Sequence, residues 1–187
     1  MSRNGRGGFA LVEVLIAILV LGLGVIGAAA LQLTAMRTTQ QSGFQTAALQ
    51  LAVEMADKMR SNASQMRLAD EHNPFLAIDF GAVNDQSVAP ARLCHVERCT
   101  AEELARFDIQ EWQQRVRAVL PGARAVVCRD ARPWDESANA FSWACTPSTA
   151  ASIVIKLGWS DRDARERSAS AQTFPPLIAL TVRPALL

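Results

Sequence analysis

The sequence is first informative through what it lacks. None of its 187 residues is tyrosine, and 19 basic residues nearly balance 18 acidic ones, which leaves a formal net charge of +1. No basic cluster is interleaved with aromatic residues, the pattern on which single-stranded nucleic acid stacks. These absences give no support for nucleic-acid binding, and the balanced charge gives none for attraction to an acidic surface.

Few residues are suited to catalysis or metal binding. The chain has two histidines and four cysteines, and Cys94, His95 and Cys99 lie close together. A structural zinc site usually takes closely spaced ligand pairs such as C-x2-C, and neighbours in an extended chain point to opposite faces. The sequence shows no Ser-His-Asp set and no phosphate-binding glycine loop. We therefore expect no enzyme activity, no metal and no cofactor.

A long apolar run near the start of the chain contains a single acid. Arg3 and Arg6 precede it, Glu13 lies near its beginning, and no charge occurs from Val14 to Leu31. About 20 apolar residues in a helix span a hydrocarbon core of roughly 30 Å. A short basic stub is expected to stay on the cytoplasmic side. The run therefore predicts a membrane-spanning helix.

Three interpretations of this segment compete. A cleaved secretory signal peptide fits the basic start, but its apolar core is usually only about 7–15 residues long. A plain membrane anchor accommodates Glu13 near the interface without giving it a role. In the third interpretation the chain is cut between Gly8 and Phe9, so the new α-amino group lies one helical turn from Glu13. The acid and the ammonium then offset each other's desolvation, within one chain or between packed neighbours.

The stretch GFALVE, from Gly8 to Glu13, followed by the apolar helix, resembles the processing signal of type IV pilins and pseudopilins. The resemblance implies a prepilin peptidase that cuts after Gly8 and methylates Phe9. It also implies that Glu13 is used in filament assembly. Gly7 separates the nearest basic residue from Gly8, where many relatives have Lys or Arg directly.

Helical periodicity continues beyond the apolar run. Apolar residues recur at spacings of three and four from Phe44 to Met59. We therefore predict one helix over 9–68, which packs on a sheet. The expected organisation is a cleaved leader (1–8), the transmembrane half of the helix (9–31), the amphipathic half of the helix (32–68) and a globular domain (69–187).

The globular domain begins with a predicted connecting loop over 71–100 that could include a short strand. Capping-box patterns at Thr100 and Asp108 predict one interrupted helix or two short helices over 101–120. The residues expected on its buried side are Leu104, Phe107, Trp112, Val116 and Leu120.

Four candidate strands follow, and β-branched and aromatic residues with partial alternation favour a half-buried antiparallel sheet. They lie at 123–128, 141–146, 152–159 and 177–183. Residues 160–173 predict an exposed loop, and Asp130, Asp135 and Glu136 are expected to form a solvated acidic loop. A long helix on a small antiparallel sheet, an α+β arrangement, is also the type IV pilin fold that the resemblance implies.

The four cysteines reach an oxidising compartment if the apolar segment crosses a membrane, and an even count then favours disulfides. A cross-strand bridge between Cys128 and Cys145 leaves Cys94 and Cys99 to close a small loop. Pairing of Cys99 with Cys128 remains the main alternative.

The C-terminal sequence sharpens the resemblance. Asp108-Ile109, Trp112, the run to Leu120-Pro121-Gly122 and the later Ile153 to Trp159 occur in the order found in type IV pilus modification proteins of the PilV family. These are minor pilins, which join other minor pilins in a tip or initiation complex, prime polymerisation of the major pilin and support adhesion and twitching motility.

The partners implied are the inner membrane, other minor pilins, the major pilin and a prepilin peptidase that is also the methyltransferase, with a tip adhesin as a further candidate. The implied location is a single pass through the inner membrane with a cytoplasmic N-terminus and a periplasmic domain, then the extracellular pilus. A minor pseudopilin of type II secretion is the nearest alternative. A membrane-tethered or secreted enzyme or binding domain is the alternative from a different class.

Overall fold

A computed structural model of the protein describes residues 11–81, 93–148, 150–160 and 174–182. Its contacts divide the chain into two units, Met1–Gly43 and Phe44–Leu187. The described part of the first unit is helical throughout and belongs to helix α1 (Leu11–Ser61). The second unit contains the remainder of α1 and the globular domain.

Helix α1 ends about two turns earlier than the sequence predicts. The backbone N–H of Asn62 still bonds to carbonyls of the last turn, but its side-chain amide donates to the carbonyl of Ala101 at 2.7 Å. A single turn, α2 (Ala63–Met66), follows as a separate element. Because Asn62 is buried and bonded to the start of another helix, the chain turns there, and the predicted end at residue 68 is wrong.

The next helix is α3 (Ala101–Val119), and it is uninterrupted. Thr100 and Glu103 form the predicted capping box, in which each side chain accepts from the backbone N–H of the other. The second predicted cap does not form, because the Asp108 carboxylate pairs with Lys58 of α1 at 2.6 Å. The prediction that Leu104 lies on the buried side of this helix is also wrong, since 41% of the residue's surface is exposed. The side chains that α3 buries are Ala105, Ile109, Trp112 and Val116.

The main sheet has four antiparallel strands, which lie in the order β1 (Asp79–Gly81), β2 (Arg124–Arg129), β5 (Ile153–Gly158) and β6 (Ile178–Val182). Two 3-10 turns, Asp70–His72 and Pro74–Ala77, lead into β1. Strands β3 (Trp134–Asp135) and β4 (Ala140–Phe141) form a separate hairpin. The α+β architecture expected of a type IV pilin is confirmed.

The predicted strand over 141–146 is wrong beyond Phe141. Residues 142–146 belong to a segment, 130–146, which contacts the sheet face opposite the helices through Asp130, Trp143 and Ala144; we call this segment the flap. Trp143 of the flap lies against Gly158 of β5 and places its ring under the guanidinium of Arg124. The flap contacts β5 through side chains and not through a strand ladder, and it therefore does not extend the sheet.

Strand β5 is buried on both faces. Ile153, Ile155 and Leu157 enter the hydrophobic core with α1, α3 and the inner face of β2. Val154, Lys156 and Gly158 alternate with them and lie on the face that the flap covers. The period-2 pattern predicted over 152–159 is confirmed, but the expected half-buried sheet is fully covered at this strand.

We expect Gly158→Ala to destabilise the domain, because a Cβ there would lie 2.9 Å from the Trp143 ring and 3.1 Å from the carbonyl oxygen of Pro175. Overpacking of this kind typically costs about 1–3 kcal/mol. Urea unfolding of the full chain in detergent measures the loss. Gly81→Ala on edge strand β1 is the matched control, since nothing lies within 4 Å of its added methyl group. Equal stability of the two variants would contradict the proposed close packing.

Candidate assembly site

Glu13 lies in the first turn of the described part of α1, and its side chain is exposed. Apolar side chains surround it along the helix: Val14, Ala17, Ile18 and Leu21. Gly8 and Phe9, the predicted cleavage site, lie outside the described residues. The proximity of the Phe9 amine to Glu13 therefore stays a prediction, whereas the helical setting of the carboxylate is observed.

The apolar part of α1 has its side chains exposed. The large apolar residues from Leu11 to Met36 are between 48% and 76% exposed, and α1 is long and apolar enough to cross a membrane. An apolar surface this extensive needs lipid or other helices in place of water.

Hydroxyl groups just beyond the apolar run are satisfied within the helix itself. Thr34 donates to the carbonyl of Ala30, Thr38 to that of Thr34, and Thr39 to that of Ala35, at 2.9–3.1 Å. Such back-bonding uses carbonyls four residues earlier in the helix. This stretch of α1 can therefore enter apolar surroundings without leaving these hydroxyls unpaired.

The second part of α1 is packed into the globular domain. Its buried residues are Ala48, Leu51, Ala52, Met55, Ala56 and Met59, which confirms the amphipathic stripe predicted from the sequence. The indole nitrogen of Trp112 on α3 donates to the carbonyl of Leu51 at 2.8 Å. Because Trp112 is fully buried, this bond satisfies a donor that would otherwise be costly to bury.

Ion pairs join the same part of α1 to α3. Arg115 binds both carboxylate oxygens of Glu54 and also contacts Glu111 at 3.0 Å, while Lys58 contacts Asp108 at 2.6 Å and Glu111 at 3.7 Å. Burial acts to lower the pKa of Arg115, but hydrogen bonds and charges from the two glutamates outweigh it and raise that pKa. Partly exposed pairs add little stability. Their effect here is to orient α3 on α1.

A fully buried ion pair holds the flap on the sheet. Lys156 of β5 contacts the Oδ2 atom of Asp130 at 2.6 Å and donates to the carbonyls of Ser142 and Ala144, each at 2.7 Å. The ammonium thus donates hydrogen bonds to two carbonyls of the flap and forms an ion pair with a carboxylate of the flap. This role of Lys156 was not predicted from the sequence. The only available signal was one lysine inside the apolar strand IVIKLG.

Asp130 was expected in a solvated loop, and this expectation is wrong, because its side chain is fully buried. Its Oδ1 atom accepts from the backbone N–H groups of Arg132 at 2.9 Å and Thr146 at 3.2 Å. Burial by itself would raise the pKa of Asp130, but the Lys156 ammonium and the two backbone donors outweigh it and lower that pKa. Asp135 and Glu136 do lie on the surface, as predicted.

Disulfides join Cys94 to Cys99 and Cys128 to Cys145, the pairing that the sequence analysis favours. The second bridge does not connect neighbouring strands, however, because Cys145 belongs to the flap and Cys128 to β2. His95 packs its ring against Phe107 at 5.8 Å between centroids. Among the described residues, no three His, Cys, Asp or Glu side chains are grouped in a way that could hold a metal ion.

Two family models match the chain. The prokaryotic N-terminal methylation motif matches residues 3–29, which include Gly8, Phe9 and Glu13. The model described as type IV pilin Tt1218 matches residues 30–110. The two matches adjoin and together cover more than half of the chain. The chain belongs to the type IV pilins.

No curated protein and no solved structure matches this pilin significantly. Type IV pilins are structural rather than catalytic proteins. The methylation motif implies processing by a prepilin peptidase and assembly with other pilus components, and with the apolar helix it fits membrane anchoring and pilus incorporation. Assignment to the PilV family stays a prediction.

Acid should selectively remove the contribution of Asp130. Asp130→Asn is expected to cost about 3–5 kcal/mol at pH 7, because it leaves the Lys156 ammonium buried without its counter-ion. The pKa of Asp130 in the folded state lies below the unfolded value of about 3.9. The carboxylate therefore stabilises the fold above about pH 4, and this contribution is lost as pH falls through the folded-state pKa.

Unfolding free energies of wild type and Asp130→Asn, measured at pH 7 and near pH 2, test this dependence. The difference between the two proteins should shrink at the lower pH. Glu71→Gln, which removes an exposed carboxyl group, is the control and should change stability little at either pH. A pH-independent gap between wild type and Asp130→Asn would contradict the assignment of a charged Asp130.

Proposed function

We propose that this pilin is a minor pilin of the PilV type, which joins other minor pilins in a tip or initiation complex and so primes polymerisation of the major pilin. In this role it supports pilus biogenesis, adhesion and twitching motility. The methylation motif, the match to a type IV pilin model and the order of the C-terminal resemblances support the proposal. The description of that model favours a pilus over a type II secretion system.

The observation that carries the proposal is the setting of Glu13. It is the one charged side chain between residues 11 and 36, and it lies on an exposed apolar helix. A carboxylate in lipid is costly unless it is paired. Within the described residues no ion pair to Glu13 occurs, so the fold of the domain gives no reason for an acid at this position. A partner charge supplied during assembly gives that reason.

The proposed partner is the α-amino group of Phe9, created when the leader is removed after Gly8. In one chain it lies a helical turn from Glu13, and in a packed assembly the amine of one chain lies beside the acid of its neighbour. Pairing then favours helices that are in register and disfavours others. A cytoplasmic ATPase-driven machine extracts the paired helices from the membrane into the filament.

We expect Glu13→Val to insert into the membrane normally but to be depleted from sheared pili, because the apolar run is preserved while the pairing charge is lost. Immunoblots of membrane and pilus fractions measure the two pools. Glu13→Gln, which keeps the shape without the charge, should show the same depletion. Asp57→Asn, which removes an exposed charge from the same helix, is the control and should behave as wild type. Normal recovery of Glu13→Val in pili would refute the assembly role.

Processing provides an independent prediction. Mass spectrometry of the mature protein should find an N-terminus at Phe9 that carries one methyl group, with residues 1–8 absent. Gly8→Val should retain the leader, because the residue before the cut is changed. A mature start near Leu31 would instead indicate a secreted protein, and an intact Met1 would indicate a plain membrane anchor.

A further inference from the structure

The Cys128–Cys145 disulfide lies beside the contacts of the buried Lys156. The ammonium of Lys156 binds the flap at Asp130, two residues after Cys128, and at Ala144, next to Cys145. None of these contacts involves a sulfur atom. They can therefore form while both cysteines are still reduced.

The network fixes the backbone on both sides of Cys145. The carbonyl of Ala144 accepts from Lys156, and the N–H of Thr146 donates to Asp130. The carbonyl of Thr146 also accepts from the N–H of Ala131 at 3.3 Å. Cys145 therefore lies between two anchored neighbours.

Cys128 is fixed by different means. It lies on β2, where it pairs in register with Val154 of β5. Lys156 lies two residues further along β5, so its side chain is on the same face of the sheet as Cys128. Cys128 and Cys145 are both half-buried.

The Cys94–Cys99 pair has a different basis. Its cysteines are separated by five positions and share a tight turn in which the N–H groups of Val96 and Glu97 bond to the carbonyl of Leu93. Lys156 makes no contact with this turn among the described residues. Cys128–Cys145 is therefore the disulfide on which an effect of Lys156 can be tested, and Cys94–Cys99 is an internal reference in the same chain.

We propose that Lys156 is the positioning residue for oxidation of Cys128 and Cys145. A thiolate of one cysteine attacks the disulfide of an oxidant, which forms a mixed disulfide and releases one oxidant thiolate. The second cysteine thiolate then attacks the protein sulfur of that mixed disulfide, and the second oxidant thiolate leaves. Two electrons and two protons pass from the cysteines to the oxidant, which is a protein or small-molecule disulfide. Lys156 raises the effective concentration of the second thiolate.

The test is the thiol–disulfide equilibrium of the full chain in detergent, with mixtures of reduced and oxidised dithiothreitol. Alkylation followed by peptide mass spectrometry reports the two cysteine pairs separately, because they fall in different tryptic peptides. We expect Lys156→Met to shift the Cys128–Cys145 equilibrium towards the reduced form by about tenfold or more, since charge-assisted hydrogen bonds are lost. The Cys94–Cys99 equilibrium should stay unchanged.

Two further variants distinguish positioning from general destabilisation. Ile155→Ala lies on the same strand but on the core face, so it weakens the fold without touching the flap contacts. It should leave the Cys128–Cys145 equilibrium near the wild-type value while the domain stays folded by circular dichroism. An equal shift in Ile155→Ala would overturn the proposal.

Lys156→Met combined with Asp130→Leu removes both buried charges, which avoids an unpaired carboxylate if the single variant fails to fold. The double variant should still oxidise Cys128 and Cys145 less favourably than wild type by about tenfold or more. A wild-type equilibrium in this folded double variant would equally overturn the proposal.

Discussion

The arrangement of the domain depends on one buried ammonium group. Lys156 forms an ion pair with a carboxylate of the flap and donates hydrogen bonds to two of its carbonyls. Replacing a buried ion pair by packed apolar residues is often neutral in stability. The main contribution of Lys156 is therefore to conformational specificity: its contacts select the part of the chain that covers this face of the sheet. The disulfide, the Asp130 bonds and the Trp143 packing all lie around this point.

Covering both faces of β5 explains how a small four-stranded sheet can contain so apolar a strand. Helices α1 and α3 shield one face, and the flap shields the other. Antiparallel sheets commonly leave one face to water, but here the flap, whose only regular elements in the described chain are the two-residue strands β3 and β4, takes the place of a second helical layer. The absence of a side chain at Gly158 lets the Trp143 ring approach the strand closely. The indole nitrogen of Trp143 then donates to the carbonyl of Phe174, which ties the flap to the approach to β6.

Sequence patterns predicted those features that depend on local periodicity. The stripe from Phe44 to Met59, the capping box at Thr100 and the alternation along β5 all follow from residues a few positions apart. Asp130 could not be placed in this way, because its burial depends on a lysine on a distant strand. On α3, apolar residues occupy two adjacent faces, so periodicity alone could not decide between Leu104 and Ile109. The proposed assembly site could be recognised from the sequence because GFALVE is a contiguous motif, whereas its proposed partner is an amine that exists only after the chain is processed.

The contacts between α1 and α3 have a mechanical consequence. Trp112, Arg115 and the acids of α3 all engage α1 between Leu51 and Lys58, about two helical turns. A helix is stiff along its axis because its hydrogen bonds run in that direction. A force along α1 therefore displaces Leu51, Glu54 and Lys58, the three α1 residues in these contacts, together. Tension is shared at once by a buried hydrogen bond, two sets of ion pairs and interlocked alanines and methionines, instead of breaking them one after another.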